Sequence, residues 1–144
     1  MCKFKLNLDK YQGIWYEVGK YPTPYQIGCE DSMAIYKRND FGGLEIINLC
    51  FRNNEIVNKI MGKADPTEEP NRLSVKFNGG FSGDYIVLWT DYKKFSFVTT
   101  SDRQSFWVLS RYRAISDDEL KFIYQTILKL GFDLKQFQLN QNIL

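Results

Sequence analysis

Histidine is absent from all 144 residues, and with it go the usual general base, the commonest transition-metal ligand and the proximal ligand of haem. Triads built on histidine and His-ligated haem are therefore excluded. Cysteine is scarce: Cys2, Cys29 and Cys50 are odd in number, widely spaced and free of any C-x-x-C pattern, so neither a zinc site nor a disulfide framework follows, and one bridge is the most they can make. No excess of charge exists either. Nineteen Lys and Arg against 17 Asp and Glu leave a formal +2, scattered along the chain, without the basic patch that a nucleic-acid partner needs. No run reaches the roughly 18 apolar residues of a membrane span. Nothing before Leu6 has the length or apolar core of a secretion signal, and position 2 is not the glycine of a myristoylation signal. As written the chain is expected to be soluble; a leader removed before Cys2 would make it secreted or lipid-anchored.

What is abundant is aromatic: 16% of the residues are Phe, Trp or Tyr. A chain of this length is one domain's worth and buries about two-thirds of its unfolded surface, so one domain over residues 1–144 is expected. Turn-forming clusters recur every eight to twelve residues, at Pro22-Thr23-Pro24, Asn39 to Gly43, Arg52-Asn53-Asn54, Asp65 to Asn71, Asn78-Gly79-Gly80, Lys93-Lys94 and Ser101-Asp102-Arg103. That spacing reads as antiparallel hairpins. It predicts strands near 13–20, 32–38, 44–51, 55–64, 72–78, 84–91, 95–100 and 105–112. Eight strands close a small up-and-down barrel with room for one ligand.

After Arg113 the period changes. Ser116 and Glu119 form a capping box, Leu120, Ile123, Tyr124, Ile127 and Leu128 recur at helical spacing, and Gly131 ends the run. One amphipathic helix over about 116–130, packed outside a barrel of about 13–112, is expected. Leu134, Phe137 and Leu139 fit a short ninth strand or an extended tail over 131–144.

Gly13-Ile14-Trp15 near the start and the lone Arg111 at the end of the last strand can meet only if the sheet closes on itself. The indole then plugs the floor and the guanidinium lies across its face. Thr90-Asp91-Tyr92 ends the sixth strand at the same closed end, where Asp91 is expected to fix the turn and Tyr92 to pack nearby. Together with Leu8 to Glu17, Gly42 to Cys50, Tyr85 to Leu88 and Phe106 to Arg111, these stretches make the chain resemble the lipocalin family, in its apolipoprotein D and bacterial outer-membrane branch, over nearly its whole length. The resemblance implies an all-β, eight-stranded antiparallel barrel, a calyx, with a C-terminal helix outside. A ten-stranded fatty-acid-binding barrel encloses a lipid too, but puts its helices between the first two strands, whereas here the helix comes last.

Alternation assigns faces. Ser32, Ala34 and Tyr36 share one, and the resemblance turns it inward. On the third strand the face of Leu44, Ile46, Asn48 and Cys50 and that of Glu45, Ile47, Leu49 and Phe51 are not separated by pattern alone; the resemblance points Asn48 into the cup. Trp107 shares a face with Leu109 and Arg111, so if Arg111 meets Trp15 at the floor, Trp107 looks into the cavity. Leu73, Val75 and Phe77 go together, as do Ile60, Gly62 and Ala64. Tyr25 and Ile27 fall in the first long connection, which in the family folds over the mouth. Expected ligand contacts are therefore Tyr25, Ala34, Tyr36, Ile46, Asn48, Ile60, Val75, Phe77 and Trp107. Gly13, Trp15, Thr90, Asp91, Tyr92 and Arg111 are expected to be structural.

The function these readings imply is non-catalytic binding and transport of one small hydrophobic or amphipathic molecule, such as a fatty acid or lysophospholipid. No cofactor, no metal and no nucleic acid is expected; peripheral membrane association and a monomer or weak homodimer are the expected company. By the same resemblance, Cys2 reads as a lipid-bearing cysteine or, more plainly, as an exposed terminal thiol. Two rivals stand beside this. An enzyme acting in the cup would have to use Cys50, which no histidine activates, or the carboxylate of Glu17. A protein-interaction module would have a cavity filled by its own rings.

Overall fold

The computed structural model describes residues 4–21, 31–80 and 82–140. Eight strands form where the sequence alternates: β1 (Gly13–Lys20), β2 (Asp31–Arg38), β3 (Leu44–Arg52), β4 (Glu55–Pro66), β5 (Arg72–Phe77), β6 (Ser82–Thr90), β7 (Phe95–Thr99) and β8 (Phe106–Ser110). Each begins and ends within two residues of the turn-delimited expectation. Consecutive strands pair antiparallel, and β1 pairs with both β8 and β2, which closes the barrel.

Three smaller elements complete the chain. A single turn of helix, α1 (Leu8–Tyr11), capped by the Asn7 side chain, crosses below the barrel; the turn signals did not reveal it, because one helical turn is too short to carry a period. The C-terminal helix α2 (Asp117–Lys129) has both hydrogen bonds of its capping box. At its other end the Phe132 N–H donates to Ile127 O and the Gly131 N–H to Leu128 O, with Gly131 at φ 85°, the paired bonds that a left-handed glycine permits. A two-residue strand, β9 (Gln138–Leu139), then runs along β1. No helix among the described residues is long and apolar enough to cross a membrane.

The apolar residues divide into two cores on opposite faces of the sheet. Trp15, Ala34, Tyr36, Ile46, Val75, Val98 and Leu109 pack inside the barrel. Outside, Val18, Phe97, Phe106 and Val108 pack against Ile123 and Ile127 of α2. Being covered on both sides, β7 is buried at all five positions and shows no alternation. The packed stripe of α2 differs from its expected one: Phe122 lies 5.7 Å from the Trp89 ring and 5.9 Å from that of Phe95, whereas Leu128 is 59% exposed. Leu128 stands about 140° around the helix from Ile123, too far to reach the sheet.

Gly19 lies tight under Phe137 and β9. A Cβ there would sit 2.5 Å from a ring carbon of Phe137 and 2.6 Å from the Gln138 carbonyl. Gly19→Ala is expected to push β9 off β1 and cost about 1–3 kcal/mol, read as a lower urea midpoint and faster amide exchange at Leu139 and Asn140.

Candidate functional site: the barrel lumen

The floor of the cup is built from the two ends of the barrel. Arg111, one residue beyond β8, lies with its guanidinium carbon 3.7 Å from the centre of the Trp15 ring. Its three nitrogens donate to carbonyls on three other segments: Nε to Tyr92 at 2.9 Å, and the two terminal nitrogens to Ile14 and Lys10, each at 3.0 Å. Trp15 is fully buried and donates its indole N–H to the Tyr11 carbonyl at 2.9 Å. Gly13, at φ 105°, leaves the space that Arg111 fills, since a Cβ would stand 3.1 Å from the guanidinium. Asp91 holds the adjoining turn with one carboxylate oxygen that accepts the backbone N–H groups of Lys93, Lys94 and Phe95. The Thr90 hydroxyl donates to the Phe95 carbonyl, and the Tyr92 hydroxyl accepts the Asn7 N–H.

Above the indole the lumen is packed, not hollow. Tyr11 and Trp15 rings are 5.1 Å apart, Tyr11 and Tyr36 5.5 Å, and Tyr36 and Tyr85 6.1 Å. Their hydroxyls form one network: Tyr36 donates to Tyr85 at 3.1 Å, Tyr85 and Tyr11 share a 2.7 Å bond, and Tyr11 meets the buried Ser96 hydroxyl at 2.8 Å. Burial pushes the Tyr36 phenol up to about 12, with the negative charge of Glu17 acting in the same direction and the bond to Tyr85 opposing it. Burial raises Tyr11 and Tyr85 as well. The floor therefore presents neutral hydroxyls. The lower part of the cup is filled by rings, so the room for one ligand expected of an eight-stranded barrel does not extend to its floor.

The cross-strand register places the other expected contacts. Ala34 pairs with Asn48 and Asn48 with Ile60; Tyr36 pairs with Ile46, Ile46 with Gly62 and Gly62 with Phe77; Val98 pairs with Trp107. Directly opposed residues share a face, so with Ala34, Tyr36, Ile46, Val75, Phe77 and Trp107 all packed in or against the inner core, Asn48 and Ile60 stand on the lumen face too. They are not equally enclosed. Ala34, Tyr36, Ile46 and Val75 are buried, Asn48, Phe77 and Trp107 half-buried, and Ile60 sits at the rim, 40% exposed. Among the described residues the Asn48 amide has no hydrogen-bond partner. Tyr25 and Ile27 lie outside the described residues, as do Cys2 and Cys29. Cys50, on the lumen face opposite Ser32, is disulfide-bonded, which takes away the thiol that a catalytic reading would have used.

One feature of the wall escapes simple alternation. Glu17 pairs with Leu109, and the next paired positions are Gly19 with Val108 and Lys20 with Trp107; Val18 is an extra residue in the strand. In a regular strand Glu17 and Lys20 would face opposite ways. The bulge turns both inward, where Lys20 Nζ stands 3.1 Å from Glu17 Oε1 with the two side chains only 12% and 6% exposed. Asn140, just past β9, donates its amide to the Glu17 carbonyl at 2.8 Å and to the carboxylate at 3.3 Å. Lys20 was missed in the sequence. Glycine inside a strand pattern, here Gly19, is the signal that marks such a bulge.

A closed antiparallel barrel, sealed at one end by indole and guanidinium and lined with apolar side chains toward the other, defines a calyx-type binding protein. A lipocalin-like domain profile matches residues 6–142, and the chain belongs to the lipocalin family, which binds small hydrophobic ligands. Its relatives include the outer membrane lipoprotein Blc of Escherichia coli (strain K12), 34% identical over 137 residues that span 91% of this chain and 77% of that one. Apolipoprotein D of Macaca fascicularis is 32% identical over 139 residues, 89% of this chain and 72% of that one. Among solved structures, lobster apocrustacyanin A1 shares the fold with a TM-score of 0.76 at 20% identity, over 93% of this chain and 78% of that chain. Insecticyanin from the tobacco hornworm Manduca sexta shares it with a TM-score of 0.75 at 16% identity, over 98% and 86%.

Arg111→Ala removes the stacking and three charge-assisted hydrogen bonds together and is expected to cost about 3 kcal/mol. Arg111→Lys, whose compact ammonium has neither the planar face that lies on the indole nor the fixed fork of donors, should recover less than half of that in a urea titration. A second expectation concerns alkali. Because the folded Tyr36 value lies above the ordinary 10 of a free phenol, the stability it contributes is complete below pH 10 and is lost as pH rises toward about 12. The urea midpoint should fall across that window, and the fall should be shallower in Tyr36→Phe.

Proposed function

We propose that this lipocalin carries a single amphipathic lipid, a fatty acid, lysophospholipid or similar molecule, with its chain in the upper part of the cup. The observation that carries this reading is the make-up of the lumen wall. The neutral hydroxyls of Tyr11, Tyr36 and Tyr85 stand at the sealed end, and the apolar Ala34, Ile46, Val75, Phe77 and Trp107 share the inner face of the barrel with them. Such a wall binds by removing apolar ligand surface from water. Burying on the order of 300 Å² of acyl chain gains about 7 kcal/mol at roughly 25 cal/mol per Å², equivalent by itself to about 10 μM, and contacts to the polar head must offset what immobilising the ligand costs. Chain length is weakly discriminated by such a surface. Orientation falls to the few polar groups at the same level, and the Asn48 amide, half-buried on the lumen face, suits a ligand carbonyl or hydroxyl. The cup is complete within one chain, so a monomer suffices for carriage.

Two measurements test this. Native mass spectrometry of the freshly purified protein is expected to show a lipid-sized adduct that is released unchanged. Titration with a medium-chain lipid should quench tryptophan emission, and Trp107→Phe should remove most of that signal while leaving the affinity within about threefold; a protein whose emission does not respond at micromolar ligand is not a lipid carrier. Asn48→Ala is expected to weaken hydroxyl- or carbonyl-bearing ligands about three- to tenfold more than plain hydrocarbons.

A further inference from the structure

The ion pair between Lys20 and Glu17 has no role in closing the barrel, yet it occupies the lumen wall beside Trp107. Removing two charges from water costs several kcal/mol, and their mutual attraction in a low-dielectric interior does little more than recover it. A lysine serving only as a strand residue would sit outside, as parity without the bulge would place it. The extra residue at Val18 turns it inward, and Asn140 reaches across from the end of β9 to hold the Glu17 carboxylate.

Resting on the carrier reading, we propose that the Lys20–Glu17 pair is the head-group site of the cup, and that it selects uncharged oxygen-bearing heads, such as the glycerol ester of a monoacylglycerol, over carboxylate or phosphate anions. The ammonium has three N–H donors, and among the described residues Glu17 is its one ion-pair partner. It therefore has donors to offer an ester carbonyl or a hydroxyl. Glu17 cancels its charge at 3.1 Å. An incoming anion would shed its water in return for a site of no net charge, with a carboxylate next to the ammonium it seeks, whereas a neutral oxygen loses far less on leaving water. The Trp107 ring, directly across from Lys20 in the ladder, stands against the part of the chain next to the head.

The experiment compares 1-monolauroylglycerol with laurate at pH 8, both below their aggregation concentrations, followed by tryptophan emission. The wild-type chain is expected to bind the monoacylglycerol about tenfold more tightly. Glu17→Gln leaves the ammonium uncompensated and should raise laurate affinity about tenfold, abolishing or reversing the preference. Lys20→Met should weaken the monoacylglycerol about tenfold and leave laurate weak. Laurate binding as tightly as the monoacylglycerol to the wild type, or an unchanged ratio in both variants, overturns the head-group assignment while leaving the carrier intact. Failure of both probes and of dodecanol to bind removes the carrier itself. If Glu17→Gln does not fold, the wild-type ratio and Lys20→Met decide the matter between them.

Discussion

The sealed end of the barrel depends on one contact between distant parts of the chain. A barrel needs its first and last strands to meet, and backbone pairing between β1 and β8 leaves the lower opening unsealed. Arg111 closes it: the guanidinium lies flat on Trp15 and its nitrogens tie Tyr92, Ile14 and Lys10 together. Few side chains can do this. The group is planar, permanently charged and supplied with donors in a fixed fork, so it stacks through its face and bonds through its edge at once. The glycine at 13, the turn held by Asp91 and the short helix below the barrel all serve the same geometry, by clearing room for the guanidinium or by aiming carbonyls at it.

From that seal the two-sided construction of the wall follows. The helix α2 covers β7 and β8 from outside, so their outward residues are aromatic and aliphatic, and their inward residues are free to be chosen for the lumen. Phe106 and Val108 belong to one core and Trp107 and Leu109 to the other, in strict alternation. On the floor, three phenols share their hydroxyl protons along one network that ends on Ser96. Buried hydroxyls are tolerated there because each finds a partner. The same rings pack against the indole of the seal, 5.1 Å from Tyr11 to Trp15 and 5.5 Å from Tyr11 to Tyr36.

The calyx was legible before any coordinates because its signals are local or nearly so. Turn clusters at fixed intervals gave the strands to within two residues, the capping box of Ser116 and Glu119 gave the start of α2, and parity from Arg111 gave the inward direction of Trp107. Asp91 was read as a turn residue, and its oxygen accepts three backbone N–H groups. Less of the lumen could be read. Ile60 shares the inward parity of Gly62 and Ala64 yet stands at the rim, because parity gives a direction and carries no information about height in the cup. The tyrosine network was hidden too: Tyr11, Tyr36 and Tyr85 lie far apart in sequence, and none of them looks unlike an ordinary core ring.

What the amino-acid order determined by itself is the set of strands, their alternation, the helix and its cap, and the pairing of an indole near one end with a guanidinium near the other; each rests on residues a few positions apart or on a single long-range match. The tertiary structure alone decided how full the cup is and which charges face into it. Volume is filled by side chains that converge from all eight barrel strands and a helical turn, and the one-residue bulge at Val18 reverses the direction of Lys20 without altering the hydrophobic pattern around it. Such a change of face is invisible to periodicity, because it is set by how β1 is paired with β8 and β9 and not by the composition of β1.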